Sequence, residues 1–135
     1  MTEIEVINKY LGIPYLNRGR TMEALDCWGL IIAVYKDLGF ALPDTTEEYD
    51  EDWSWQGKDF FLTTNYSDWQ KVLIPGSLDV VLFQNSKGIA NHGGIMLKNN
   101  RFLHACRAGV VIGKLEDFIW KKRIYGFYHL RLRND

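Results

Sequence analysis

The spacing of apolar residues changes once along the chain. Ile4, Val6, Ile7, Tyr10 and Leu11 recur with helical spacing and predict a helix over 4–11, ended by Gly12-Ile13-Pro14. Tyr15 to Leu25 lacks a period and reads as an irregular loop. The run Leu30-Ile31-Ile32-Ala33-Val34-Tyr35 predicts a buried helix from Cys27 to about Leu38, with Asp26 as N-cap and Gly39 as the C′ glycine. Residues 43–75 mix acids and tryptophans without a clean period, which suggests short helices joined by loops, and Pro75-Gly76 is a break. From Leu78 onward the pattern is that of strands: 79–83, 92–97, 102–106, a short 110–112 and a final 124–132, with one helical turn near 115–120. Helices first and an antiparallel sheet after them is an α+β layout.

Composition narrows the class. At 135 residues, 47% of them hydrophobic, the chain suits one domain with a substantial core, spanning residues 1–135. A net charge of −1 lacks the basic footprint of a nucleic-acid binder. Acids gather at Asp44, Glu47, Glu48, Asp50, Glu51 and Asp52, and bases at Lys121, Lys122, Arg123, Arg131 and Arg133; both clusters read as solvated surface. The start Met1-Thr2-Glu3-Ile4-Glu5 is acidic with no apolar core behind it, so synthesis in the cytoplasm without a signal peptide is expected. No apolar run approaches the ~20 residues of a membrane span. Two cysteines do not make a disulfide framework. Cys27, His92, His104 and Cys106 could formally hold zinc, but no pair has the short Cys-x-x-Cys spacing, so neither metal nor cofactor is expected.

The candidate chemistry centres on Cys27. A helix start carries positive partial charge and unsatisfied N–H groups, which stabilise a thiolate, so this cysteine is either an activated nucleophile or a small core residue. Of three histidines, His92 and His104 lie on consecutive predicted strands. A two-residue turn at Asn99-Asn100 would put them on opposite faces; a three-residue loop, or a bulge at Gly93-Gly94, puts them on the same one. A shared site therefore requires an irregular hairpin. Cys106 has the parity of His104 and reads as a buried filler or second thiol, and His129, among Tyr125, Phe127, Tyr128 and Leu130, as structural.

Five segments in order resemble the NlpC-type cysteine peptidases: Gly12-Ile13-Pro14-Tyr15, Leu25-Asp26-Cys27-Trp28-Gly29-Leu30, Asp79-Val80-Val81-Leu82-Phe83, His92-Gly93-Gly94-Ile95-Met96-Leu97 and Arg101-Phe102-Leu103-His104-Ala105. The resemblance implies a compact papain-like fold and cleavage of peptide bonds in bacterial peptidoglycan. It makes Cys27 the nucleophile, His92 the general base and His104 the residue that orients it, with Tyr15 beside the cysteine. Asp26, Trp28 and Arg18, with Arg20, are expected around the substrate: Trp28 replaces the family's usual serine and is expected at the cleft edge, and the two arginines could pair with stem carboxylates. A stand-alone domain with this Asp-Cys-Trp-Gly-Leu motif looks most like those of bacteriophage tails, which implies tail proteins as partners and action at the host wall. Two alternatives stay open: a tail assembly protein that binds through the segment Tyr49 to Trp69, and acyl transfer or amidase chemistry on a non-wall substrate.

Overall fold

In the computed structural model, which describes residues 1–44 and 68–133, the first apolar pattern forms α1 (Glu3–Tyr10). Thr2 opens it through a capping box: its hydroxyl accepts from the Glu5 N–H, and the Glu5 carboxylate accepts from the Thr2 N–H. The second apolar run forms α2 (Cys27–Asp37), with Gly39 just beyond it at a φ of +96° that glycine adopts without strain. Between the helices, the stretch expected to be an irregular loop contains two short strands, β1 (Arg20–Thr21) and β2 (Ala24–Leu25), paired antiparallel. Two-residue strands are too short to show a period, which is why the pattern concealed them.

The C-terminal half is a six-stranded antiparallel sheet in the order β3-β8-β4-β5-β6-β7. Its strands are β3 (Trp69–Val72), β4 (Val80–Gln84), β5 (Ala90–Leu97), β6 (Arg101–Cys106), β7 (Gly109–Lys114) and β8 (Ile124–Leu130), with the one-turn helix α3 (Phe118–Lys121) before β8. Trp69–Val72 is thus an edge strand rather than part of a helical segment. The remainder of the acidic, tryptophan-rich segment, including all of Tyr49 to Trp69 except its last two residues, lies outside the described residues. Strand β7 is longer than expected because Gly109 and Gly113 pair in the ladder without adding apolar side chains to the pattern.

Both faces of the sheet are covered. Val80, Leu82, Ile95, Leu97, Leu103 and Ala105 pack toward Leu30, Ile31, Val34 and Tyr35 of α2 and Val6 and Tyr10 of α1. Val81, Phe83, Met96 and Phe102 form a second cluster with Leu115, against which Trp120 of α3 packs. Strand β4 is therefore buried on both sides, and its sequence runs Val-Val-Leu-Phe without alternation. The edge strand β7 is covered by the chain after α1: the Gly12 N–H donates to the Val110 carbonyl and the Val110 N–H to the Ile13 carbonyl, each at 2.8 Å. No helix among the described residues is long and apolar enough to cross a membrane.

A buried polar network ties the C-terminal turn to α2 and to the start of β4. Asp79 accepts from the His129 Nδ1 at 2.7 Å and from Arg133 at 3.3 Å, Arg133 also donates to the Ser77 carbonyl, and Tyr35 donates to the Leu78 carbonyl at 2.6 Å. Tyr35 lies roughly two turns along α2 from Cys27, so His129 belongs to the scaffold and not to the neighbourhood of the cysteine.

Candidate active site

Cys27 is the first residue of α2, and the sequence on either side of it fixes that helix end. The Asp26 carboxylate accepts from the Gly29 N–H at 2.7 Å, from the Arg20 guanidinium at 2.7 Å and from the Arg18 N–H at 2.9 Å. Asp26 is thus the expected N-cap, and it is buried and ion-paired, not open to a substrate. Gly29 permits the β1–β2 hairpin to press against α2, since a Cβ there would run into the Gly19 carbonyl oxygen. Trp28, expected at a cleft edge, is 6% exposed and sits in the core, its indole N–H donating to the Pro43 carbonyl at 3.3 Å. The helical period forces this outcome: Trp28 shares a face with Ile31 and Tyr35 at i+3 and i+7, and that face is the buried one.

The histidines meet. His92 Nε2 and His104 Nδ1 are 2.8 Å apart, within hydrogen-bonding distance. The hairpin has the irregularity this required. Leu97 pairs with Arg101, so the loop holds three residues, and both Asn99 and Asn100 take left-handed φ values of 62° and 56°. Asparagine tolerates that conformation better than most side chains. With that register His92 and His104 share a parity and lie on the α3 face, with Phe83 and Phe102. The bulge lies elsewhere than at Gly93-Gly94: Phe83 pairs with His92 but Gln84 with Ala90, leaving Asn91 as the extra residue immediately before His92. Gly94 brings the two strands close, since a Cβ there would lie 2.9 Å from the Leu103 oxygen and 3.2 Å from the His104 Cβ.

The thiol lies beside the strand that carries His92. Gly93 pairs with Leu82, whose side chain faces α2, so at this position β5 has no side chain between itself and the helix start. The backbone N–H groups of Gly93 and Trp28 act on the Cys27 sulfur in the direction that favours a thiolate, which places it beside the residue that follows His92. Tyr15 bridges Leu25 at the end of β2, two residues before Cys27, with its side chain 39% exposed. Arg18 is exposed, whereas Arg20 is held by Asp26 and, at 3.1 Å, by Asp44. Of the residues expected around a substrate, Tyr15 and Arg18 face outward, and Asp26, Trp28 and Arg20 serve the helix end.

The electrostatics differ from the expectation for a cysteine at a helix start. Burial pushes the Cys27 thiol up to about 12, and the Asp26 carboxylate adds to the rise against the two backbone hydrogen bonds and the Arg20 charge. A helix terminus contributes about 0.3–1 kcal/mol, whereas burial of an ionisable group shifts its pKa by up to several units, so burial wins. Burial also pushes His92 down to about 3, aided by His104 and Arg123, and His104 down to about 4. The resting site therefore pairs a neutral thiol with two neutral imidazoles at neutral pH. Both cysteines are free thiols; Cys106 is partly buried, its sulfhydryl directed at the Gly109 carbonyl. Among the described residues no group of three His, Cys, Asp or Glu side chains is placed to hold a metal.

Two neighbours of the histidines were not legible as site residues. Trp120 lies 5.6 Å from His92 in a stacked arrangement and 5.0 Å from His104 edge-on. Arg123 donates to the Gln84 carbonyl at 3.0 Å and to the Asn91 side chain at 3.3 Å. Both lie far along the chain from the motifs, and no local pattern links them to β5.

Comparison with known proteins places this geometry. The profile of the NlpC/P60 family matches residues 12–129. The chain is 32% identical over 114 residues to the murein DD-endopeptidase/LD-carboxypeptidase MepS of Escherichia coli K12, covering 83% of this chain and 53% of that protein. It is 29% identical over 116 residues to the probable peptidoglycan endopeptidase LytE of Bacillus subtilis, covering 86% of this chain and 30% of that one. The chain thus spans about half the length of one curated relative and under a third of the other. Among solved structures, a protein of this kind from Bacillus cereus superposes with a TM-score of 0.71 at 20% identity, covering 94% of this chain and 39% of that one. A lipoprotein-like protein from Staphylococcus aureus gives 0.69 at 23%, covering 96% and 40%. At those identities the likeness concerns the fold, which is the papain-like α+β fold expected from the sequence.

Proposed function

The chain belongs to the NlpC/P60 family, and from that premise we propose that it is a cysteine endopeptidase acting on the peptide stems of bacterial peptidoglycan, with Cys27 as nucleophile, His92 as general base and His104 as the residue that orients His92. The observation that carries the assignment is the 2.8 Å link between His92 and His104 beside the capped start of α2. The names of the relatives, a murein endopeptidase and a probable peptidoglycan endopeptidase, support the substrate class.

Of the two tautomer pairs that this hydrogen bond admits, the chemistry uses one. With both rings neutral, His92 carries its proton on Nε2 and donates it to His104 Nδ1, leaving the lone pair on His92 Nδ1 to act as base. Because thiol and imidazole are both neutral at rest, the proton moves from Cys27 to His92 Nδ1 as the sulfur–carbon bond forms, and no ion pair precedes attack. Backbone N–H groups at the start of α2, with the Tyr15 hydroxyl, stabilise the oxyanion. On collapse the carbon–nitrogen bond breaks and His92 returns the proton to the leaving amine. Water, deprotonated by His92, then attacks the thioester, and the thiol regains its proton as the carbon–sulfur bond breaks.

The Asp-Cys-Trp-Gly-Leu motif suggests a bacteriophage tail as the setting, and detection of the protein in purified virions tests that part independently. For the activity, Cys27→Ala should abolish clearing of a peptidoglycan suspension while the folded far-ultraviolet spectrum is retained. Equal clearing by the variant would overturn the assignment of Cys27, and absence of clearing by the parent would favour a tail component that works by binding.

A further inference from the structure

The bulge that sets the direction of His92 is held from outside its own hairpin. Asn91 is the extra residue of that bulge, opposed to the step between Phe83 and Gln84. Arg123, which follows α3, makes contacts on both sides of it. Its guanidinium donates to the Gln84 carbonyl at 3.0 Å and to the Asn91 side-chain oxygen at 3.3 Å, and its own carbonyl accepts from the Gln84 N–H at 2.8 Å. The guanidinium also lies 5.4 Å from the Trp120 ring, the ring that stacks on His92. Bulges leave ladder groups unpaired and bend the strand, so a register so close to a reactive side chain needs an external partner to remain single-valued.

We propose that Arg123 is a positioning residue for His92: by clamping Asn91 and Gln84 it holds the bulge in the register that directs His92 to His104, with Trp120 as the wall against which the imidazole rests. This inference rests on the catalytic reading of His92. The charged and titratable groups that act on that ring are His104 on β6 and Arg123 itself, with Cys27 at the head of α2 beside the neighbouring Gly93; Phe83 on β4 and Trp120 on α3 are uncharged. The guanidinium charge also contributes, after burial and His104, to holding His92 neutral. The clamp and the charge can be separated by substitution. Lysine keeps the charge but cannot bond both acceptors as the planar fork does, and methionine loses both.

The test uses the full chain and two readouts. With only three histidines, the imidazole signals are resolvable by nitrogen–proton correlation spectra across a pH series. In Arg123→Met the His92 titration midpoint should rise and the signature of the His92–His104 hydrogen bond should be lost. In Arg123→Lys the midpoint should stay near that of the parent while the hydrogen-bond signature weakens. On muropeptides, Arg123→Met should lower kcat by roughly tenfold or more with KM within about twofold, and Arg123→Lys should recover part of the loss. A parent-like hydrogen-bond signature in both variants would overturn the proposal, as would a change in KM alone. If Arg123→Met does not fold, Arg123→Lys decides by the same hydrogen-bond signature. Absence of peptidase activity in the parent would count against the proposed function, while the spectra would still decide the role of Arg123.

Discussion

At the residue scale, the chemistry of Cys27 is set by a competition between an acid and its partner. Asp26 caps α2 and raises the thiol, and Arg20, bound to the same carboxylate, offsets part of that effect. Asp26→Asn keeps an oxygen to accept from the Gly29 N–H while removing the negative charge, so the thiol should move down. Alkylation of Cys27 by iodoacetamide at pH 8 should then be faster than in the parent, with a lower thermal midpoint because Arg20 loses one of its two carboxylate partners. A slower reaction would show that the Asp26 charge does not raise the thiol. Asp26→Ala should instead cost about 1–2 kcal/mol for the lost cap, and more if Arg20 is left buried without its carboxylate. The position of Cys27 and its cap was readable from the chain, because a polar capping residue directly before an apolar run is a local signal. The direction of the thiol shift was not: it depends on how much water the fold removes, which a helix-start argument does not contain. Trp28 failed as a cleft residue for a related reason. Its neighbours Ile31 and Tyr35 already defined the buried face of α2, and that period outweighed the resemblance that put position 28 at a cleft.

At the element scale, two close backbone approaches hold the site together. Gly29 lets the β1–β2 hairpin meet α2, and Gly94 lets β6 approach β5 beside His104. In each case the obstructing atom is a backbone oxygen that cannot swing aside. Gly29→Ala should therefore cost at least the roughly 1–3 kcal/mol typical of overpacking, measured by urea unfolding. Gly94→Ala should displace His104 and lower activity more than it lowers stability. A Gly94→Ala enzyme with parental kcat would show that strand spacing at this point does not govern the histidine pair. The need for an irregular hairpin followed from parity, and the three-residue loop at 98–100 meets it. The position of the bulge, and the strands β1, β2 and β3, were beyond the reach of the pattern. The first two strands are two residues long, and β3 is an edge whose central Gln70 and Lys71 are both exposed, so no alternation survives.

At the scale of the whole molecule, the buried His104 and the part-buried His92, both held neutral, make stability depend on pH. His92 and His104 are held near 3 and 4, below the ordinary value of about 6.5 that an unfolded chain would show. Between those limits the unfolded state binds more protons, so stability is fully present above about pH 6.5 and declines as pH falls toward 4, by up to about 1.4 kcal/mol per pH unit for each ring. The thermal midpoint should fall across that window, and His104→Gln should reduce the slope. His92 stays unprotonated over the same range, so any loss of activity in mild acid should track the thermal midpoint rather than titration of His92. The antiparallel sheet and the two leading helices were legible because their apolar periods are long. The Asp79–His129–Arg133–Tyr35 network and the contacts of Trp120 and Arg123 were not, since they join positions that only the closed sheet brings together.

The proposed role of Cys27, oriented with His92 and His104, is cleavage of wall peptides through a thioester. The most direct measurement is digestion of purified muropeptides by the parent chain and by Cys27→Ala at matched thermal midpoint, with products and acid-quenched protein both read by mass spectrometry. New amine and carboxyl termini are expected from the parent only, with an acyl adduct on the peptide that contains Cys27. The same products from Cys27→Ala would contradict that role.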